Sequence, residues 1–248
     1  MNSATVTSFN TGYVVLSYVI SVIGAFVALT ATNKIVRPSG KISMVNTLAA
    51  GLALGGVGVW SMHFIGMLAL KMDLAVGYAM AETVASLVAA IVATSLALYF
   101  VARNRTLPRI LGAGILLGLG VCAMHYLGMY GIRFGGYLQW SYDVIIISVL
   151  IACVAATAAL WLAFNTNTWA ARAGAAAVMG VAVCAMHYTG MAAAEFICTT
   201  TNRSALPGGF GVINSFQLPL LVTVSALAMA FLISVDQFFQ RVNTSARG

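Results

Sequence analysis

Seven long apolar segments constrain the fold of this chain more than any other feature of its sequence. They cover about residues 11–33, 44–70, 78–102, 108–131, 142–164, 170–194 and 216–240. An α-helix needs about 20 apolar residues to cross the hydrocarbon core of a bilayer, and each segment is long enough. Only 7% of the residues are charged, whereas a soluble domain carries about 25%. The sequence therefore predicts one all-α integral membrane domain over residues 1–248, with seven transmembrane helices surrounded by membrane lipid.

Charged residues are distributed unevenly between the two ends of the apolar segments, and therefore between the two sides of the predicted membrane domain. One side carries nine basic residues: Lys34, Arg37, Lys41, Arg103, Arg105, Arg109, Arg172, Arg241 and Arg247. The other side carries three basic residues and four of the five acidic residues, namely Lys71, Arg133, Arg203, Asp73, Glu82, Asp143 and Glu195. Because basic residues accumulate on the cytoplasmic side, we expect the N-terminus outside and the C-terminus in the cytoplasm. This topology accounts for the net charge of +7, so no nucleic-acid partner is expected.

A seven-residue segment recurs three times without gaps. The copies are SMHFIGM at 61–67, AMHYLGM at 123–129 and AMHYTGM at 185–191. They contain the only three histidines of the chain, and consecutive histidines are 62 residues apart. Two spans with their loops fit this period, so we predict three tandem two-helix repeats followed by one closing helix.

His63, His125 and His187 are the strongest functional signal. A histidine inside a membrane helix is costly and marks a functional site by default. Each lies near the outer end of an even-numbered span, on the order of 10 Å below the boundary at about 1.5 Å per residue. The three imidazoles can therefore meet if the second, fourth and sixth helices are neighbours. A hydrogen bond to a neighbouring helix explains one such histidine, but it explains three equivalent ones poorly.

Two methionines accompany each histidine. Met67, Met129 and Met191 follow by four residues and share the histidine's helical face. Met62, Met124 and Met186 precede by one residue and are rotated by about 100°. Thioether and imidazole ligands in an apolar pocket suit copper, above all Cu(I), whereas Mg²⁺ and Ca²⁺ prefer oxygen ligands. We therefore predict a copper site that combines the histidines with at least some of these methionines.

Other neighbours of the histidines leave alternatives open. Cys122 and Cys184 lie three residues before their histidines, where they either add thiolate ligands or pack in the core. Trp60 takes the corresponding place in the first repeat, which excludes a threefold thiolate site. A glycine follows each histidine by three residues: Gly66, Gly128 and Gly190. These glycines either permit close helix packing or clear room for a bound ion or ligand.

The run Met186-His187-Tyr188-Thr189 spells the signature of the MHYT domain, and the copies at 62–65 and 124–127 resemble degenerate versions of it. The resemblance covers essentially the whole chain. It implies a bacterial inner-membrane sensor module with seven spans that binds copper and perceives oxygen, carbon monoxide or nitric oxide. Such modules are joined to cyclic-di-GMP enzymes, histidine kinases or DNA-binding regulators. The ligands implied by the family motif are Met62, His63, Met124, His125, Met186 and His187.

The leading interpretation is a sensory input domain that is not itself an enzyme. Binding of a diatomic gas, or a change in copper or redox state, would shift the helices and signal through the seventh span. The receiver would be a cytoplasmic signalling domain in the same chain or in a separate partner, and a homodimer is left open. Two alternatives are a copper-handling or transport protein, with ligands spaced through the bilayer, and a haem-binding redox subunit that uses the histidines as iron ligands.

Overall fold

The computed structural model describes residues 3–4 and 7–245, and its described part contains seven long helices. They are α1 Thr11–Thr32, α2 Met44–Ala69, α3 Met80–Arg103, α4 Leu107–Tyr130, α5 Tyr142–Asn165, α6 Trp169–Ala192 and α7 Leu218–Ser245. Each helix begins within two residues of its predicted start, and all are long and apolar enough to cross a membrane. Arg247 and the side chain of Arg241, which entered the predicted charge distribution, lie outside the described residues.

The first six helices form a ring in sequence order, closed by the packing of α1 on α6. Each odd-numbered helix of the ring packs between two even-numbered ones: α1 between α6 and α2, α3 between α2 and α4, and α5 between α4 and α6. The even-numbered helices also contact one another at the centre. α7 stands outside the ring and packs against α2. As a result α2 is 89% buried along its apolar span, compared with 44% for α4 and 28% for α6.

Glycines allow the helices of the ring to approach closely. A Cβ at Gly24 of α1 would overlap with the backbone of Gly58 in α2. A Cβ at Gly118 of α4 would overlap with the backbone of Cys153 in α5. Helix association in lipid depends on such van der Waals contact because lipid tails are as apolar as the side chains. These pairs therefore bring the helices close enough to converge on the axis of the bundle.

α2 differs from the other spans in the winding of its middle. A ten-residue π-helical segment, Leu52–Ser61, separates α-helical Met44–Gly51 from α-helical Met62–Ala69. Within it, Ser61 Oγ donates a 3.1 Å hydrogen bond to the carbonyl of Gly56, five residues earlier. π-Helical turns are rare and often mark functional sites. This one ends immediately before the first histidine motif, and the apolar sequence did not predict it.

Short strands cover one end of the bundle, called here the strand-covered end. They are β1 Ser3–Ala4, β2 Thr7–Phe9, β3 Leu70–Met72, β4 Gly77–Ala79, β5 Ile132–Arg133, β6 Gly136–Trp140, β7 Ala194–Cys198 and β8 Val212–Asn214. They pair antiparallel in three sheets, in the orders β1-β7-β6, β2-β3 and β5-β4-β8. An ion pair between Arg133 and Glu82 joins β5 to the first turn of α3. The segments were predicted as loops, and the strands enclose the helix ends nearest the histidines.

Candidate metal centre

α2, α4 and α6 each bring one histidine to the centre of the bundle. The Nδ1 atoms of His63 and His187 are 3.1 Å apart, those of His63 and His125 are 3.1 Å apart, and those of His125 and His187 are 3.3 Å apart. The ring centroids are more widely separated, at 4.9, 5.0 and 5.2 Å. The rings therefore point Nδ1 inward, and all three residues are at most 1% exposed.

Three Nδ1 atoms in mutual contact cannot satisfy one another. A nitrogen of neutral imidazole either donates its N–H or accepts with its lone pair. Among three such nitrogens at least two share the same role, so at least one of the three contacts sets donor against donor or lone pair against lone pair. Buried polar atoms are normally paired. A cation that accepts all three lone pairs would remove the conflict.

The size of the triangle also fits a metal ion. Its centre lies about 1.8 Å from each Nδ1 atom, close to the ~2.0–2.1 Å of a zinc–imidazole bond. Among the described residues, the cluster of His, Cys, Asp and Glu side chains able to share a metal consists of these three histidines. Three imidazoles leave a coordination position open, as in metal sites that bind an exchangeable ligand. Imidazole suits zinc, copper, iron and nickel.

The outer edge of each imidazole, which carries Nε2, packs against a glycine from another repeat. The Nε2 contacts are His63 with Gly128, His125 with Gly190, and His187 with Gly66. A Cβ at any of these glycines would overlap with the facing nitrogen. The space beside each of these glycines is therefore occupied by an imidazole, which favours the alternative of close packing over that of room for an ion or ligand. The three Nε2 atoms have no hydrogen-bond partner among the described residues.

Serines of the odd-numbered helices hold the side chains beside the histidines. The Tyr126 hydroxyl lies 2.6 Å from Ser148 Oγ, the Tyr188 hydroxyl lies 3.0 Å from Ser17 Oγ, and Trp60 Nε1 lies 3.0 Å from Ser86 Oγ. Each serine donates its own proton to the backbone carbonyl three residues earlier, at 2.7–2.8 Å. Each serine oxygen therefore accepts from the aromatic partner. In the first repeat Trp60 takes over this role, because Phe64 has no hydroxyl.

Aromatic residues from the strands pack over the ring that follows each histidine. The edge-to-face pairs are Phe64 with Tyr78 at 6.3 Å, Tyr126 with Trp140 at 5.6 Å, and Tyr188 with Phe9 at 5.4 Å. Burial raises the pKa of the Tyr78 phenol above its ordinary value, so this member of the layer stays neutral. These three pairs form an aromatic layer that joins the strands to the helical turns carrying the histidines.

Sequence reasoning missed this layer, although a signal for it exists. Each strand aromatic of the layer stands eight residues before the serine of the following odd-numbered helix: Phe9 and Ser17, Tyr78 and Ser86, Trp140 and Ser148. The second and third copies are 62 residues apart, the same period as the histidines. In the first copy, Phe9 ends β2 and Ser17 lies in α1, which closes the ring between α6 and α2. α1 thus occupies the place equivalent to α3 and α5.

The motif methionines are all buried: Met62, Met67, Met124, Met129, Met186 and Met191. Burial is compatible with ligation and with plain packing, so their role as ligands stays a prediction. Cys122 packs with Ala152 and Met186 in a small apolar cluster. Cys184 lines a groove between α1 and α6 with Tyr188. Neither cysteine belongs to the histidine cluster within the described residues.

Three consecutive segments, residues 56–114, 118–176 and 180–244, match the model of the MHYT family, described as a bacterial signalling protein N terminal repeat. The segments begin within α2, α4 and α6 and continue into the following helices. The matched unit thus starts in an even-numbered helix. It is shifted in phase from the predicted pairing of each odd-numbered helix with the next even-numbered one.

Similar curated proteins are larger bacterial signalling proteins. The bifunctional diguanylate cyclase/cyclic di-GMP phosphodiesterase MucR of Pseudomonas aeruginosa is 33% identical over 241 residues, which cover 93% of this chain and 34% of that protein. The signaling protein YkoW of Bacillus subtilis is 30% identical over 227 residues, or 88% of this chain and 27% of that protein. The cyclic di-GMP phosphodiesterase NbdA of Pseudomonas aeruginosa is 31% identical over 194 residues, which cover 75% of this chain and 24% of that protein. The chain spans between about a quarter and about a third of each relative's length, and no solved structure matches it.

Proposed function

Because this chain belongs to the MHYT family of bacterial signalling proteins, we propose that it is a membrane sensory input domain whose metal centre is held by His63, His125 and His187. The observation that carries the proposal is the convergence of three buried Nδ1 atoms within 3.3 Å of one another. The chain is a multi-pass protein of the bacterial inner membrane. We propose that its strand-covered end faces outward, which places the triad close to the periplasm.

Copper, as Cu(I), is the metal that this environment favours. The donors around the triad are neutral imidazoles, and the motif methionines that could add thioethers are buried. Burying charge in a medium of low dielectric is costly, so a site without an anionic ligand favours a monovalent ion. Soft thioether ligands and imidazole both suit Cu(I). When bound, copper would supply a redox couple and an open position for oxygen, carbon monoxide or nitric oxide.

The packing of α7 suggests how the triad would signal. His63 is carried by α2, the helix on which α7 packs outside the ring. Met229 of α7 lies against Gly56, inside the π-helical segment that ends just before the first histidine motif. A displacement of His63 would therefore move the surface on which α7 rests. A ligand drives such a shift only if its affinity differs between the two helix arrangements.

The receiver of this signal is proposed from the relatives. Two of them are named as cyclic di-GMP enzymes, and the matched region is about a third of their length or less. We therefore propose that α7 conveys the state of the triad to a cytoplasmic cyclic-di-GMP signalling domain, in the same chain or in a separate partner. The sensory region itself would carry no catalytic group.

The haem and transport alternatives are not favoured. The Nδ1 atoms lie too close together for a porphyrin ring to fit between any two of them. A transport path requires ligands along the whole bilayer, whereas all three histidines of the chain form one cluster.

Elemental analysis of the protein purified in lipid nanodiscs tests the proposal. The matched variant replaces His63, His125 and His187 by asparagine, which keeps polar side chains in the same places. We expect bound copper in the wild type and its loss in the variant, with an unchanged gel-filtration profile. Equal copper in both proteins would overturn the ligand assignment. Zinc in place of copper would refute only the identity of the metal, and a Soret band would favour haem.

A further inference from the structure

A cavity of about 40 Å³ lies next to the histidine triad, on its side away from the strands. The residues that line it include Val59, Val121 and Val183. Each of these valines stands four residues before one of the three histidines in the sequence. Four residues are about one helical turn, so the cavity lies about one turn deeper in the bundle than the triad. Of the predicted ligands, Met186 also lines the cavity, whereas none of the three histidines does.

The chemistry of the walls excludes water and favours an apolar guest. Thr94 supplies the one polar side chain among the lining residues, and its hydroxyl already donates a 2.7 Å hydrogen bond to the carbonyl of Ala90. A buried water needs two to four polar partners, and cavities with apolar walls stay dry and bind guests such as xenon. A volume of about 40 Å³ exceeds the ~10–15 Å³ that one water molecule requires.

Small side chains separate the cavity from the lipid. Between α5 and α6 its wall consists of Ala155, Ala159, Ala182 and Val183, which are only partly buried. Apolar solutes partition from water into hydrocarbon, so a dissolved gas is more concentrated in the bilayer than in the aqueous phase. A guest can therefore reach the cavity sideways from the membrane, past alanine methyl groups.

We propose that this cavity is a binding site for one small, uncharged, apolar gas molecule, held about one helical turn from the triad. Binding in the cavity itself needs no metal. Its purpose, to keep a gas beside the centre that responds to it, rests on the proposed sensory function. The site would hold diatomic gases by shape and dispersion contact, and would exclude ions and hydrogen-bonding solutes.

Xenon is the probe that tests the cavity directly. The experiment follows the ¹²⁹Xe chemical shift against xenon pressure for the metal-free protein in nanodiscs, with empty nanodiscs as the baseline. We expect saturable binding in the wild type and its loss in Ala156→Leu, which fills the buried side of the cavity. The matched control is Ala158→Leu, on the exposed face of the same helix, which should bind xenon as the wild type does.

The outcome in the wild type decides the proposal even if the filled variant fails to fold. Saturable binding that increases in Val121→Ala, which enlarges the cavity, supports it. No saturable binding in the wild type, or binding unaffected by both Ala156→Leu and Val121→Ala, overturns it.

A second measurement separates this proposal from the metal proposal. In the copper-loaded protein, carbon monoxide should associate more slowly with Ala156→Leu than with Ala158→Leu, at equal copper content. Xenon binding in a protein that takes up no copper would leave the cavity standing and refute the metal centre. Copper uptake without xenon binding would support the metal centre and refute the gas-binding cavity.

Discussion

The Nε2 atom of His63 on α2 lies against Gly128 on α4, at a place where any Cβ would overlap with it. The same relationship joins His125 to Gly190 and His187 to Gly66. Each imidazole thus depends on the backbone of a different repeat, and the inward aim of each Nδ1 depends on the glycine behind the ring. The glycines therefore position the candidate ligands without contacting the centre of the triad.

Substitution of Gly128 by alanine should displace the imidazole of His63. Overpacking a buried site costs about 1–3 kcal/mol, so we expect a lower unfolding temperature together with reduced metal content. Gly112→Ala is the matched control on the same helix, because a Cβ there meets no atom within 4 Å. Thermal unfolding and elemental analysis in nanodiscs measure both effects. Unchanged metal content in Gly128→Ala would show that the glycine does not position the ring.

The predicted thioether ligands can be tested as a set. Replacing Met67, Met129 and Met191 together by leucine keeps the volume and apolar character of each side chain, so stability should change by less than about 1.5 kcal/mol per site. If the sulfurs bind Cu(I), the variant should bind Cu(I) more weakly in competition with a chelator, while its affinity for Zn²⁺ stays the same. Met44→Leu, at an exposed position of α2, is the control. Equal Cu(I) affinity in both variants would exclude Met67, Met129 and Met191 as ligands.

The hydroxyl of Tyr126 should matter for stability more than for metal binding. Tyr126→Phe removes the 2.6 Å hydrogen bond to Ser148, whose own proton remains bound to the carbonyl of Ile145. Hydrogen bonds between membrane helices contribute on average about 0.6 kcal/mol, so a loss of that order is expected in equilibrium unfolding. Phe64 already lacks the hydroxyl at the equivalent place. A large loss of metal in Tyr126→Phe would mean that the hydroxyl acts on the metal centre itself.

The orientation in the membrane can be read from cysteine accessibility. In a chain whose four native cysteines are replaced by alanine, Lys71→Cys lies at the strand-covered end and Arg105→Cys at the opposite end. The asymmetry of basic residues predicts that a membrane-impermeant maleimide labels Lys71→Cys in intact spheroplasts, and Arg105→Cys only after lysis. The opposite pattern would invert the topology and place the triad near the cytoplasm.

The contact between Met229 and Gly56 should couple the triad to α7. Spin labels at Leu107 and Phe239, both exposed, report the separation of α4 and α7 by pulsed electron resonance. We expect metal binding to change this separation in the parent protein but not in Met229→Ala, at equal metal content. Met44→Ala is the control and should behave as the parent does. A metal-dependent change that persists in Met229→Ala would exclude this contact as the route.

The spans and the convergence of the histidines could be predicted because long apolar segments and a 62-residue period survive in the sequence. The π-helical segment Leu52–Ser61 could not, because all but one of its residues are apolar and nearly all are buried, so no polar face reveals how they are wound. The strands were missed because they contain two to five residues, too few to show alternation. Their pairing is set by the helix ends that bring them together.

The partners of the histidines were predicted only in part. His63 could be assigned to the site from its position in the repeat, but its contact with Gly128 depends on which helices meet, in this case α2 and α4 at the centre of the bundle. The role of Ser17 was hidden for the same reason, since it lies 171 residues from Tyr188 in the chain. Sequence spacing along one helix identifies the side chains that share a face of that helix. It does not identify which residues of another helix those side chains will contact.

The contacts between each histidine and a glycine of another repeat also have a consequence for biosynthesis. His187 and Gly190 lie on α6, so a nascent chain that stops after four helices has neither the third nitrogen nor the glycine that receives His125. The nitrogen triangle can therefore close only after α6 has entered the bilayer and packed against α1 and α5. If the triad holds a metal as proposed, a chain truncated before α6 would lack the complete three-nitrogen site.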